Sequence, residues 1–314
     1  MAIEASALVG VAPRDFHPRV GMEMGKEKWL DAAGVRTRYF DEGEGERIVF
    51  VHGGNLGSND GSGGATTWNV NFPVLARQHN VIAFDKLGQG FTENPKTDAG
   101  YSMDGIVKHA IATLEAIGKG PYHIVGHSRG GYVVTRLTME RPDLVKTCIV
   151  VSSGSTSPGT TRTRLIHKHA PLPRMTRNSQ RFVYETYSHY TKLVTEEWLD
   201  VNMDYGGTQK HQLAMRKMNE EGLLKRQFLP ELARQKAEVH RWLIESGMPC
   251  PTLIVWGFND PTAHFDNGWR LIEMFMARQP LTELRLFNKA GHFVFKEYAA
   301  AFNRALDAWV KKHA

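Results

Sequence analysis

The chain reads as an α/β protein: a mostly parallel twisted sheet flanked by helices, with an inserted helical cap. Three observations predict this. Six short apolar runs recur along the chain, each ending at Gly, Ser or Asp. Amphipathic segments with three- and four-residue spacing lie between them. The alternation then stops near Pro158 and resumes at "CPTLIVWG".

The elements follow in order. "KWLDA" and "VRTRYFDEG" make an antiparallel hairpin at one edge. "RIVFVHGG", "HNVIAFDKLGQG", "PYHIVGHS", "VKTCIVVSS", "PTLIVWG" and "TELRLFNKAG" are the six runs. Strands apolar throughout are buried on both faces, as in a parallel sheet whose crossovers are helices. Residues 103–117 place Ile106, Val107, Ala110, Ile111 and Leu114 on one helical stripe, and Gly118 stops it. A last helix near 298–312 aligns Phe302, Leu306, Trp309 and Val310. Strands alternating with helices imply right-handed crossovers. Residues 1–156 and 248–314 then form the core, and residues 157–247 form the helical cap.

Composition excludes several classes. The net charge of +6 includes no run of like charges, and no nucleic-acid-binding signature appears. The excess sits in the cap, where 15 Lys or Arg face 10 Asp or Glu. That surplus is either a solvated helical surface or a funnel for an anionic substrate. Cys148 and Cys250 lie in apolar runs and read as buried small residues, not a disulfide framework. "MAIEASALVGVAPRD" makes a poor leader, and no stretch approaches the roughly 18 apolar residues of a membrane span. A cytoplasmic setting follows, with no membrane partner; a homo-oligomer is left open.

The stretch "YHIVGHSRGGYVV" holds Ser128 between two glycines. G-x-S-x-G gains meaning from its context, a strand before and a helix after. A serine on that turn has its hydroxyl at the carboxyl edge of the sheet. Gly126 and Gly130 leave room where the chain folds back. A serine hydroxyl needs a base, and the base needs an orienting carboxylate. Asp260 follows the "LIVWG" strand and His292 follows the last one, so Ser128, Asp260 and His292 are the catalytic candidates. Asp266 is the rival carboxylate. An oxyanion needs donors, and the backbone N–H groups of Arg129 and Gly54 are chosen. The loop of residues 53–64 has six glycines but lacks G-x-x-x-x-G-K-[ST], so nucleotide binding is set aside. Asp85 reads as a loop brace. No H-E-x-x-H pair is present; no metal or organic cofactor is expected. His167 and His169 in "HKHA" read as solvent-exposed, and one or two of Phe182, Tyr184, Tyr187, Tyr190, Trp198 and Trp242 are expected to face a substrate.

Together "HGGN", "AFDKLGQG", "GHSRGG", "WGFNDPTA" and "KAGHF" resemble the α/β-hydrolase superfamily. Within it, the glycine-rich loop, "NDPTA" and "FNKAGHFVFKEYAAAFN" resemble the meta-cleavage product hydrolases, carbon–carbon hydrolases of aromatic degradation. That resemblance implies a small anionic substrate, a vinylogous diketone of the 2-hydroxy-6-oxohexa-2,4-dienoate type. It also implies substrate contacts at Asn55, His127, Asn202, Trp198 and Phe293. Three of these depart from the family. His127 stands where Asn is usual, as a polar contact or packed beneath the turn. Asn202 stands near where an Arg holds the substrate carboxylate, and Phe293 where Trp follows the histidine. A carboxylesterase or lactonase with the same triad, or a ligand-binding receptor on this fold, remain the alternatives. Dehalogenases and related epoxide hydrolases are disfavoured because they carry Asp at the Ser128 position.

Overall fold

Residues 22–314 are described by a computed structural model. The reading of the N-terminal segment as a poor leader lies outside the described residues. The strands are β1 (Lys28–Ala32), β2 (Val35–Glu42), β3 (Arg47–Val51), β4 (Asn80–Phe84), β5 (Tyr122–His127), β6 (Val145–Val151), β7 (Thr252–Gly257) and β8 (Thr282–Phe287). They form one sheet in the order β1-β2-β4-β3-β5-β6-β7-β8. The β1–β2 and β2–β4 pairs are antiparallel, and the remaining pairs are parallel. All six apolar runs and the edge hairpin are therefore strands.

Period-2 alternation divides the strand residues between two layers. Val49, Val51, Ile124, Cys148, Val150 and Ile254 pack on one face. Ile48, Phe50, Val125, Ile149, Val151 and Val255 pack on the other. Both faces are covered, which is why these strands are apolar throughout. β8 departs from that expectation: only Thr282 of its six residues is buried. It is an edge strand with a single neighbour, so its residues are only partly covered.

The helices are α1 (Phe72–Leu75), α2 (Met103–Ile117), α3 (Arg129–Glu140), α4 (Thr163–His169), α5 (Arg177–Tyr187), α6 (Glu196–Gly207), α7 (Gln209–Met215), α8 (Leu229–Glu245), α9 (Phe265–Met276), α10 (Val294–Glu297) and α11 (Ala299–Lys312). α2 spans the predicted residues. The Ser102 hydroxyl accepts from the Gly105 N–H at 3.0 Å, and Gly118 at φ +69° ends the helix. Trp68 anchors the second layer, with ring centroids 4.5 Å from Phe50 and 4.2 Å from Phe295. Such pairs add about 0.5–1.5 kcal/mol beyond the area they bury.

Helices α4–α8 lie between β6 and β7, and that segment contains no strand. Their ties to the core include Tyr184 Oη donating to the Ser62 carbonyl at 2.7 Å and His240 Nε2 donating to the Thr156 carbonyl at 2.7 Å. Cys148 and Cys250 are buried free thiols. No helix among the described residues is long and apolar enough to cross a membrane.

The chain goes from β3 to β4 on one side, then crosses to β5 on the other side of β3. The loops leaving β3 and β5 diverge there, so a crevice opens at the carboxyl edge of the sheet.

Candidate active site

Ser128 is the only residue between β5 and α3. It takes φ +53° and ψ −119°, a conformation that L residues rarely adopt. The sequence permits this because its neighbours lack side chains. A Cβ on Gly126 would lie 2.3 Å from the Gly130 carbonyl oxygen, and one on Gly130 would lie 2.3 Å from that of Val51. The turn is also held by hydrogen bonds. Ser128 N–H donates to the Val151 carbonyl at 2.9 Å. The Ser128 carbonyl accepts from Gly131 N–H at 2.9 Å and from the Ser153 hydroxyl at 2.6 Å. The side chain is left lining the crevice.

His292 lines the same crevice and meets Asp260. His292 Nδ1–H donates to Asp260 Oδ2 at 2.7 Å, and both residues are buried. The other oxygen of Asp260 accepts three hydrogen bonds: from Thr262 N–H at 2.8 Å, the Thr262 hydroxyl at 2.8 Å and Ala263 N–H at 3.0 Å. Three donors converging on one oxygen fix the buried carboxyl group in place. The Thr262 hydroxyl also lies 3.0 Å from His292 Nδ1. The His292 backbone N–H donates to the Tyr187 carbonyl at 2.8 Å, so the insertion holds the histidine loop. Glu297 ties the same loop to the insertion. One oxygen accepts from Gly291 N–H at 2.9 Å, and the other accepts from His189 and Tyr190 N–H at 3.1 and 3.2 Å. Burial pushes the Glu297 carboxyl up to about 7 against these bonds.

Ser128 and His292 line one cavity of about 330 Å³. Every other residue singled out in the sequence as an oxyanion or substrate contact lines it too: Gly54, Asn55, His127, Arg129, Trp198, Asn202 and Phe293. Asp260 stands behind His292, away from the cavity, whereas Asp266 lies in the first turn of α9. His127 is packed beneath the turn. Its Nε2–H donates to the His292 carbonyl at 2.9 Å, its ring lies 4.6 Å from that of His292, and its Nδ1 has no partner among the described residues. Burial holds it well below its ordinary pKa, so the ring is neutral. Asn202 is buried; its backbone carbonyl accepts from the Ser62 hydroxyl, and its side-chain Nδ2 has no partner among the described residues. Of the six aromatic residues of the insertion, Tyr184, Tyr187 and Trp198 face the cavity. Trp198 stacks on Tyr184 at 4.9 Å and meets Phe293 edge-on at 5.1 Å.

The expectation for His167 is overturned. It lines the cavity, with Nδ1 2.9 Å from Asp60 Oδ2 and Nε2 accepting from Tyr187 Oη at 2.7 Å. The packing of α4 against α5 turns it inward, while His169 is exposed. Asp85 is a brace: it accepts from Arg38 Nε, Ala65 N–H and Phe91 N–H at 2.7, 2.7 and 2.8 Å. Sequence reasoning missed Thr262, Glu297 and Lys236. Thr262 lies within the quoted "NDPTA" turn and was visible as its hydroxyl residue; Lys236 carries no local signal. Among the described residues no group of His, Cys, Asp and Glu could hold a metal ion.

Known proteins resemble this chain in sequence and fold. The α/β hydrolase fold family matches residues 46–299. A 2-hydroxymuconate semialdehyde hydrolase of Pseudomonas sp. (strain CF600) is 26% identical over 91% of this chain and 93% of its own length. A 2-hydroxy-6-oxo-6-(2'-aminophenyl)hexa-2,4-dienoic acid hydrolase of Metapseudomonas resinovorans is 25% identical over 79% of each chain. A solved meta-cleavage product hydrolase from Pseudomonas fluorescens IP01 has the same fold, with a TM-score of 0.75 and 24% identity over 91% of this chain and 98% of its own. With a match across most of its length and relatives named as hydrolases, the chain belongs to the α/β hydrolase fold family and is a hydrolase.

Proposed function

We propose that the protein is a serine-dependent hydrolase that cleaves a carbon–carbon bond in a vinylogous diketone, a 2-hydroxy-6-oxohexa-2,4-dienoate-type product of aromatic ring fission. Residues 157–247 act as its cap, and it works in the cytoplasm. One observation carries the triad: His292, locked to Asp260 at 2.7 Å, shares the cavity edge with the strained Ser128. The names of the curated relatives support the substrate class.

In this reading the substrate is first ketonised. The Ser128 hydroxyl then adds to the 6-oxo carbon and gives its proton to His292 Nε2. Asp260 holds the Nδ1–H tautomer and offsets the imidazolium charge. The oxyanion takes the backbone N–H groups of Arg129 and Gly54. Arg129 N–H is the first of α3 and has no partner within the helix. The Gly53 carbonyl is turned to His52 Nδ1 at 2.8 Å and the Gly54 carbonyl to Lys86 Nζ at 3.0 Å. In a trans peptide the N–H points opposite to the carbonyl, so the Gly54 N–H points away from His52. The C5–C6 bond then breaks. Its electron pair passes to C5, which takes the proton from His292, and water releases the acyl group from Ser128.

Ring-fission dienolates are yellow, so loss of colour reports the reaction. Wild-type enzyme should bleach the substrate, and Ser128→Ala should be at least about 10³-fold slower. Turnover of p-nitrophenyl esters without bleaching would assign the same residues to an esterase. Equal rates for the wild type and Ser128→Ala would refute the serine mechanism.

A further inference from the structure

The charged side chains around the cavity fall into two sets. Asp60 is satisfied, with His167 Nδ1 at 2.9 Å and Arg174 Nη1 at 3.6 Å. Arg129 and Lys236 are not. Both line the cavity, and neither is in an ion pair with any described residue. Arg129 opens α3, where Nε donates to Asn55 Oδ1 at 2.8 Å. Its terminal nitrogens make no hydrogen bond to a described residue, and its guanidinium carbon lies 5.8 Å from the Phe228 ring centroid. Lys236 lies one helical turn after Leu232, which also lines the cavity, on the inner side of α8. Its Nζ reaches only the Gly154 and Gly159 carbonyls, both at 3.4 Å.

Arg129 and Lys236 are half-buried, and two partly desolvated cations without a counter-charge favour an anion between them. The desolvation is visible in their proton affinities. Burial lowers the Lys236 ammonium to about 8, with a further contribution from Arg129, and lowers the Arg129 guanidinium to about 10. The surplus charge of the insertion thus reaches the cavity through Lys236. Asn202 on α6 carries no charge; its backbone carbonyl accepts from the Ser62 hydroxyl, and its side-chain Nδ2, without a partner among the described residues, adds one neutral donor beside the two cations.

We propose that Arg129 and Lys236 form the subsite that holds the carboxylate of the substrate, on the wall built by the first turn of α3, by α8 and by the loop after β6. This rests on the functional reading above, because it names the group that reading leaves unplaced. A guanidinium offers two parallel N–H donors to a carboxylate, and an ammonium adds a point charge. Arg129 then serves twice: its backbone N–H faces the oxyanion and its side chain faces the carboxylate.

The test measures equilibrium binding of benzoate and its neutral analogue benzamide to the full-length protein by tryptophan fluorescence. Wild type should bind benzoate at least tenfold more tightly than benzamide. Lys236→Gln and Arg129→Met should each lose most of that preference, and Lys236→Arg should retain it. Thermal melts establish which variants are folded; if one is not, the other decides. A wild type without preference, or a preference that survives both substitutions, overturns the subsite. Dienolate bleaching is scored separately. Absence of bleaching with the benzoate preference intact removes the carbon–carbon reading and leaves an anion subsite. Bleaching without the preference does the opposite.

Discussion

Asp260→Asn should leave the fold intact and almost abolish turnover, and the hydrogen bonds around residue 260 say why. Oδ1 accepts from three donors, Thr262 N–H, the Thr262 hydroxyl and Ala263 N–H. An amide nitrogen cannot sit there without setting N–H against N–H. The amide oxygen of the variant therefore takes the Oδ1 position, and its NH2 turns toward His292 Nδ1, 2.7 Å away in the wild type. That NH2 only donates, so Nδ1 must become the acceptor and the ring proton moves to Nε2. The imidazole can then no longer take a proton from Ser128. Wrong-tautomer substitutions of this type cost about 10⁴ in kcat, or about 5.5 kcal/mol of barrier. The assay is kcat for dienolate bleaching and for p-nitrophenyl acetate, with circular dichroism and Tm on the same preparation. A folded Asp260→Asn within tenfold of wild type would refute the reasoning and move the orienting role to another carboxylate.

Three further outcomes are expected. Ser128→Gly should raise stability by about 1 kcal/mol while removing activity, because glycine adopts φ +53° without the strain that costs a serine about 1–3 kcal/mol; Ser128→Ala keeps the strain and should show no such gain in Tm. Glu297→Gln should lower kcat about 10-fold or more and destabilise by about 1–3 kcal/mol, because one of its two oxygens becomes a donor facing backbone N–H groups; wild-type kcat and Tm would count against a positioning role. Lys296 is buried, its ammonium 4.7 Å from the Trp198 ring centroid, and burial lowers it from 10.5 to about 7. Between those values the unfolded chain binds a proton that the folded chain does not, so stability rises with pH by up to about 1.4 kcal/mol per unit. Urea titrations should show that rise in the wild type and not in Lys296→Met; parallel pH profiles would disprove it.

Much of this was legible in the sequence because its causes are local. The strands of the sheet interior read as strands since both faces are buried; Ser128 and Asp260 each follow such a strand and His292 follows the edge strand β8, all at turns that Gly or Pro marks. The glycines at 126 and 130 mark the tight return of the chain, where a Cβ would meet backbone carbonyl oxygens. β8 is found where a strand is expected, but the expectation that it is apolar and buried throughout fails there, since an edge strand needs apolar residues on fewer positions. The failures at His167 and Lys236 share one origin: both lie on helices of the insertion, and which side of such a helix faces inward is set by the neighbours it meets. "HKHA" gives two histidines one residue apart, and only the packing of α4 on α5 decides that His167 enters the cavity while His169 does not. Lys236 is another charged residue on a helix until α8 is laid against the loop after β6.

The carbonyl of Tyr187 receives the backbone N–H of His292, and Glu297 receives two more N–H groups from residues 189 and 190. The end of α5 is thus part of the mounting of the proposed base. A hinged cover that swung wholly clear of the crevice would have to break these links and carry the imidazole out of register. Traffic into the cavity must run past the other edges of the insertion. Transplanting a related insertion to change substrate preference would also replace the bracket that aims the histidine, so such chimaeras should lose rate as well as selectivity unless residues 187–190 are kept.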